Sequence, residues 1–250
     1  MRDVVPDDLL EARIREAARL AEGGRARFVG FLDAHGARLA AETARRGRFS
    51  SCLLWGGYAD AERVMFGAFP AFLRPAGEKF PVAALTAVYR PQERLTHRDF
   101  LGALLAAGIE RAALGDILAG TGRCVFFCRR EIAGFLCSEV TKIGGAGVRI
   151  SAGAEPPYPE RRFAPFSGVI ASARLDCAVA AAVGTSREKA AKMIRARLVE
   201  LNHEPAQAPD AGVAEGDVLS VRGQGRFAID RLGPRTKKGR LGVAGRKYMG

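Results

Sequence analysis

Long apolar runs are missing from this chain. No stretch of its 250 residues approaches the roughly 20 consecutive apolar residues that cross a bilayer. The opening segment, MRDVVPDDLLEARIREAARL, is charged throughout and lacks the apolar core of a signal peptide. A soluble, cytoplasmic protein with no membrane partner is expected. Cysteine is sparse and odd in number, at positions 52, 124, 128, 137 and 177, which argues against a disulfide framework. Cys124 and Cys128 fall on one face of an expected strand instead of at metal-knuckle spacing, so free buried thiols and no metal are expected. His35 has no second ligand candidate near it. Lysine is scarce too, at 7 of the 39 basic residues, and internal repeats are absent.

What is present is apolar content of 48%, enough for real cores in one large or two to three small domains. Positive charge is unevenly placed. Residues 161–250 hold 17 Lys and Arg against 8 Asp and Glu, a net of +9 out of the chain's +12. The first 160 residues hold 22 against 19, a net of +3. Concentrated positive charge is the electrostatic footprint of a polyanion partner.

Within that basic third, Ala171 to Phe227 reads as two short helices joined at Gly184, then a strand, a turn at Asn202–Pro205 and a closing strand. Leu175, Ala178, Val179 and Ala182 share one helical face. Ala190, Met193, Ile194 and the stem of Arg197 share another. Thr185 with Glu188 has the form of a capping box opening the second helix. With the apolar stripe inward, Lys192 and Arg195 point outward, flanked by Arg187 and Lys189.

The segments Ser172–Asp176, Thr185–Ala190, Val199–Asn202 and Glu215–Phe227 resemble an S4-type RNA-binding domain, a helix–turn–helix with a small sheet. Two positions depart from that pattern. Arg197 stands where the family usually ends its second helix on Gly, a left-handed position that costs a non-Gly residue roughly 1 kcal/mol. Glu200 occupies a place where a basic residue is expected.

Residues 1–50 read as helical: a stripe of Leu9, Leu10, Ile14, Ala17, Ala18 and Ala21, then a second segment from Phe28 to Arg45. Strands are expected at Ser51–Trp55, Glu62–Phe69, Pro81–Tyr89, Arg123–Cys128 and Val148–Ser151. Helices are expected at His97–Gly108 and Glu131–Ile143, with a further helical turn over Arg111–Leu118. Alternation of this kind argues an α/β sandwich. Glu155–Phe166, with four prolines, reads as a linker.

In order along the chain, WGGYADAER, FPVAALTAVY, HRDFLGALLAAGIERAALGDILAG and EVTKIGGAGVRI are similar to the central region of the YlmH family of S4-domain proteins. The resemblance implies an α+β fold in four parts: a helical segment 1–50, an RRM-like domain 51–154, a Pro-rich linker 155–167, and an S4-type domain 168–250 with a basic tail. It also implies rRNA and peptidyl-tRNA as partners on the large ribosomal subunit, in quality control of stalled nascent chains. Some relatives are linked to cell division. The central segment lacks the aromatic ribonucleoprotein signature that stacks bases.

Catalytic readings are weaker than structural ones. Arg174-Leu175-Asp176 resembles the tripeptide carrying the catalytic aspartate of pseudouridine synthases, but Asp176 sits in a first helical turn, where a carboxylate favours the dipole and pairs with Arg. His97, Arg98 and Asp99 are consecutive on a helix and point in different directions. Gly144-Gly145 follows a helix and precedes a strand, the reverse of a phosphate-cradling loop, and Gly56-Gly57 has no trailing Lys-Ser/Thr. No catalytic residue, cofactor or metal is expected. The leading expectation is a monomeric, non-enzymatic RNA-binding protein; an RNA-modifying enzyme docking through its C-terminal domain, or a scaffold linked to cell division, are the rivals. The expected contacts are Arg174, Arg187, Lys189, Lys192, Arg195, Arg222 and Arg226, then Lys237, Lys238 and Arg240 of the tail, with Ser186 and Asn202 as hydrogen-bonding partners.

Overall fold

The computed structural model of the protein describes residues 6–160, 162–202, 204–235 and 239–249. The chain divides into two units, Met1–Glu160 and Arg161–Gly250.

In the first unit, helix α1 (Asp7–Ala21) buries Leu10, Ile14, Ala17 and Ala21 at helical spacing and carries Asp7 and Asp8 in its first turn. The second expected helix is only partly helical. Arg27–Leu32 forms a strand, β1, and helix α2 starts later, at Ala34–Arg46. Asp33 marks that start by accepting a hydrogen bond from the Gly36 amide. The strands β2 (Cys52–Trp55) and β3 (Val64–Ala68) form with β1 an antiparallel sheet ordered β1-β3-β2. The first 50 residues are therefore not a helical segment by themselves. Their backbone donors and acceptors are paired with strands on the far side of residue 50.

The sequence then runs through β4 (Val82–Val88), α3 (His97–Ala106), β5 (Leu114–Ala119), β6 (Arg123–Arg129) and α4 (Arg130–Glu139). A small hairpin, β7 (Lys142–Ile143) with β8 (Ala146–Gly147), leads to β9 (Arg149–Ala152). The four long strands make an antiparallel sheet ordered β5-β6-β4-β9. This βαββαβ order, with its last strand beside its first, is the split arrangement of an RRM-like sandwich. The expected helical turn at Arg111–Leu118 shrinks to Arg111–Ala113, because Leu114–Leu118 is buried throughout and pairs in the sheet.

Strand alternation buries both faces of β5 and β6. Cys124, Phe126 and Cys128 pack under α3 and α4 with Phe100, Leu104 and Leu136. Val125, Phe127 and Leu118 pack the other way, against Phe31, Met65, Phe69 and Phe80. The opposite side of the β1–β3 sheet is covered in turn by α1 and α2 through Leu10, Ile14, Ala40 and Phe66. The unit is a four-layer helix–sheet–sheet–helix stack. Burial pushes the Cys128 thiol up to about 12 and raises that of Cys124 as well. Both are inert core groups, as all five cysteines are free.

The second unit begins inside the expected linker. Arg162–Ile170 is a nine-residue strand, β10, followed by α5 (Leu175–Val183) and α6 (Arg187–Arg195). Strands β11 (Val199–Leu201), β12 (Glu204–Pro205) and β13 (Val218–Val221) lead into a long hairpin, β14 (Gly225–Arg235) with β15 (Leu241–Met249). The sheet order is β10-β15-β14-β13-β11-β12, antiparallel at every junction. Of the stretch expected as a basic tail, Pro234 and Arg235 close β14 and Arg240 lies just before β15. Leu175, Val179, Ala190 and Ile194 meet Leu219, Phe227, Ile229 and Val243 in one core. No helix among the described residues is long and apolar enough to cross a membrane.

Candidate nucleic-acid interface

The α5–α6 pair is fixed by one carboxylate. Asp176, 3% exposed, accepts from Arg187 Nε at 2.9 Å and from Arg174 Nε and Nη2 at 3.3 Å. Burial by itself would raise its pKa, but the hydrogen bonds from Arg187 and Arg174 outweigh it and hold the carboxyl below the usual range. One arginine precedes α5 and the other opens α6, so the triad ties the two helix starts together and keeps a net charge of +1. Backbone bonds from Leu175 to Ala211 and from Asp176 to Pro209 satisfy the first donors of α5.

Helix α6 is capped one residue later than expected. Ser186, not Thr185, is the N-cap and accepts from the Lys189 amide at 3.2 Å. Ala190 and Ile194 are buried, which leaves Lys189, Lys192 and Arg195 as an exposed stripe at three-residue spacing. Lys192 pairs with Glu188 at 2.8 Å, but both side chains are more than 70% exposed, so the pair is weak and exchangeable.

The end of α6 turns on Arg197, whose φ is +55°. Its amide bonds to Ile194 and that of Leu198 to Met193, the paired closures of a Schellman motif. The stem of Arg197 does not join the apolar stripe, because the left-handed turn carries it out to solvent. The Arg222 amide donates to the Leu198 carbonyl at 2.8 Å, which brings the β13–β14 turn beside this helix end. Arg195, Arg197 and Arg222 therefore gather where the helix dipole is negative and favours cations.

Of the remaining expected contacts, Asn202 and Arg226 do not join this edge. Asn202, itself at φ +52°, donates to Asp217 at 2.8 Å and accepts from the Val218 amide at 2.9 Å, so its amide locks a turn and is not offered to a ligand. Arg226 lies on the opposite face of the sheet, because Phe227 beside it points into the helix-side core. Its guanidinium stacks 3.9 Å over the Tyr248 ring. Arg240 is exposed just before β15, and Lys237 and Lys238 lie outside the described residues. Three cation–aromatic contacts around the β14–β15 hairpin went unforeseen in the sequence: Arg226 on Tyr248, Arg246 on Phe163 and Lys247 on Phe227. The alternation of LGVAGRKYM was the available signal.

The middle of the central domain's sheet offers no such surface. The strand positions that would present bases with aromatic rings are filled by Val125 and Phe127, both 0% exposed beneath the β1–β3 layer. Thr96 and Asp99 form a reciprocal capping box at α3, with the Asp99 carboxylate accepting from the Thr96 amide and hydroxyl at 2.8 Å. That is a structural assignment for the Asp of the His97-Arg98-Asp99 run. Among the described residues no cluster of His, Cys, Asp and Glu could hold a metal ion.

Three comparisons bear on this geometry. Residues 75–154 match the family model described as "Putative RNA-binding domain in YlmH". The "Ribosome-associated protein quality control protein P2" of Bacillus subtilis (strain 168) is 30% identical over 186 residues, covering 73% of this chain and 72% of the relative. A solved structure, "Cell division protein ylmH from Streptococcus pneumoniae", superposes with a TM-score of 0.53 at 19% identity, covering 62% of this chain and 94% of that one. This last likeness concerns the fold.

Proposed function

The chain belongs to the YlmH family, and from that premise we propose that it is a non-enzymatic RNA-binding protein of ribosome-associated quality control. In this reading it works as a cytoplasmic monomer and docks on rRNA of the large ribosomal subunit beside a peptidyl-tRNA. The observation that carries it is the cationic edge of the C-terminal unit. There Lys189, Lys192 and Arg195 on α6 continue into Arg197 and Arg222 at the helix end. A capped helix and a closed C-terminus hold these exposed groups along one edge, which a phosphate backbone could follow. A-form RNA hides its base edges in a deep groove, so shape and phosphate spacing decide recognition there. The reading also agrees with the B. subtilis relative, whose name places that protein with the ribosome.

The enzyme reading finds little support. Asp176, the residue a pseudouridine-synthase-like chemistry would use, is buried and already holds two guanidinium groups. Reversing Lys192 and Arg195 to Glu tests the proposal. Co-sedimentation with ribosomes is expected to be lost while the thermal melt is unchanged, and persistence of ribosome binding would overturn the assignment of this edge.

A further inference from the structure

The C-terminal sheet has a second side. Helices α5 and α6 cover the face carrying Phe227, Ile229 and Val243. On the opposite face, alternation places Phe163 of β10, Arg246 and Tyr248 of β15, and Arg226 of β14 together. Their side chains form a ladder. Arg226 lies 3.9 Å over the Tyr248 ring, Tyr248 meets Phe163 edge-on at 5.1 Å, and Arg246 lies 4.9 Å over Phe163. Next to this ladder the floor is low, made of Ser167, Ala244 and Gly242, and Val169 stands 56% exposed at its far end.

Apolar rings on a surface are ordinarily covered or isolated, and here two of them are joined and interleaved with guanidinium groups. Phe163 is 38% exposed even with Arg246 upon it. Arg246 is held in place by Asp230 through three contacts of 2.9 to 3.1 Å, which fixes its guanidinium over one side of Phe163 and leaves the rest of that ring open. A protein partner for an apolar ridge would be favoured by a neutral rim. This rim belongs instead to the unit that carries +9, with Arg231, Arg235 and Arg240 exposed along the same hairpin. Rings that offer a π-face amid arginines match a nucleobase with its phosphate.

We propose that this outer face binds unpaired RNA: a nucleotide base stacks on the Phe163–Tyr248 pair while Arg226 and Arg246 hold the adjoining phosphates. The inference rests on the RNA-binding reading and adds to it a separate site. The helix edge would take the backbone of folded RNA, and the outer sheet face would take a single-stranded extension of it. The central domain, whose sheet buries Val125 and Phe127 at the positions where rings would stack on bases, would then leave base stacking to the C-terminal unit.

The test uses the full chain and two RNAs: a blunt hairpin, and the same hairpin with a six-nucleotide 3′ overhang containing 2-aminopurine. The overhang is expected to tighten binding roughly tenfold, the size of a single base–aromatic stack, and to quench the 2-aminopurine fluorescence. Phe163→Leu and Tyr248→Leu keep an apolar strand residue and are each expected to remove that gain and the quenching, with hairpin affinity and thermal melt unchanged. Lys189→Glu with Arg195→Glu is expected to weaken both RNAs together. If the wild type binds the hairpin but gains nothing from the overhang, the outer-face proposal fails and the helix-edge reading stands. If it binds neither RNA, the RNA-binding reading itself fails. Loss of both RNAs in the leucine variants would show a face for folded RNA, and a changed sedimentation coefficient with unchanged RNA binding would show a protein interface; either overturns the assignment.

Discussion

The two units use arginine in opposite ways. In the N-terminal unit Arg63 is turned inward, donating to the Phe31, Leu114 and Arg111 carbonyls at 2.8 to 3.2 Å. Arg111 does the same toward Leu114 and Gly115, and burial, with the nearby Arg63 charge, pulls its pKa down to about 10. Asp116 completes the group by accepting from the Tyr58 hydroxyl and the backbone amides of Glu62 and Arg63. These cations cement two sheets. In the C-terminal unit the guanidinium groups lie outside, on a helix face, a helix end and a sheet face. A count of basic residues cannot distinguish these uses. What separates them is whether a cation meets carbonyls in a closed space or water at a surface.

That contrast can be broken at Arg63. Arg63→Leu leaves the Phe31 and Arg111 carbonyls without their guanidinium donor and removes one of the two side-chain donors to Leu114; a loss of about 3 kcal/mol is expected in denaturant melts. RNA affinity of the still-folded protein should not change. A fall in affinity without a fall in stability would make Arg63 a contact instead of a strut.

Asp176 is the corresponding strut of the second unit. Asp176→Asn is expected to cost about 2 kcal/mol, less than at Arg63, because both arginines can return partly to water. Its native carboxyl has a pKa below the unfolded value, so the stabilisation is present above the ordinary carboxylate range. It is lost as pH falls through the native value. The wild type should therefore show an acid limb in its stability profile that the Asn variant lacks in part.

Arg197→Gly sharpens the comparison from another side. Relieving a left-handed arginine should stabilise the unit by up to about 1 kcal/mol while lowering RNA affinity and reducing the salt slope by about one. A gain in stability with no change in the salt slope would leave Arg197 outside the interface. The smallest effect is expected at Lys192→Ala, within about 0.5 kcal/mol in stability, since its partner Glu188 is exposed.

Much of this was legible before the fold was known, and the exceptions have physical causes. The α5–α6 pair followed from local periodicity and a glycine stop, and local signals survive folding. The helix assignment at Phe28–Leu32 failed because Phe28, Val29, Phe31 and Leu32 suit either period. What decides the matter is β3, more than 30 residues away, offering a pairing edge. The start of β10 reads as linker because Pro165 follows Pro156, Pro157 and Pro159, yet Pro165 sits on an outermost strand, where a missing N–H can face away from the ladder. Asn202 has a polar side chain in a basic region, which suggested a ligand contact. Its partners Asp217 and Val218 are fifteen and sixteen residues on, beyond the reach of a local reading.

The double burial of β5 and β6 in the central sheet bears on how this architecture can change. Phe127 stacks on Tyr58 at 4.9 Å, and a side chain added at Gly57 would strike that same ring. A partner of the central domain therefore has to approach away from β6, over β9 and the end of β4, at the recess beside Trp55 and Phe127, or over α3 and α4. Extending the recess bounded by Trp55, Val82, Ala84 and Phe127 into the middle of that sheet would mean first prising off a whole three-stranded layer, so new binding chemistry is better accommodated on rims and helices than at its centre.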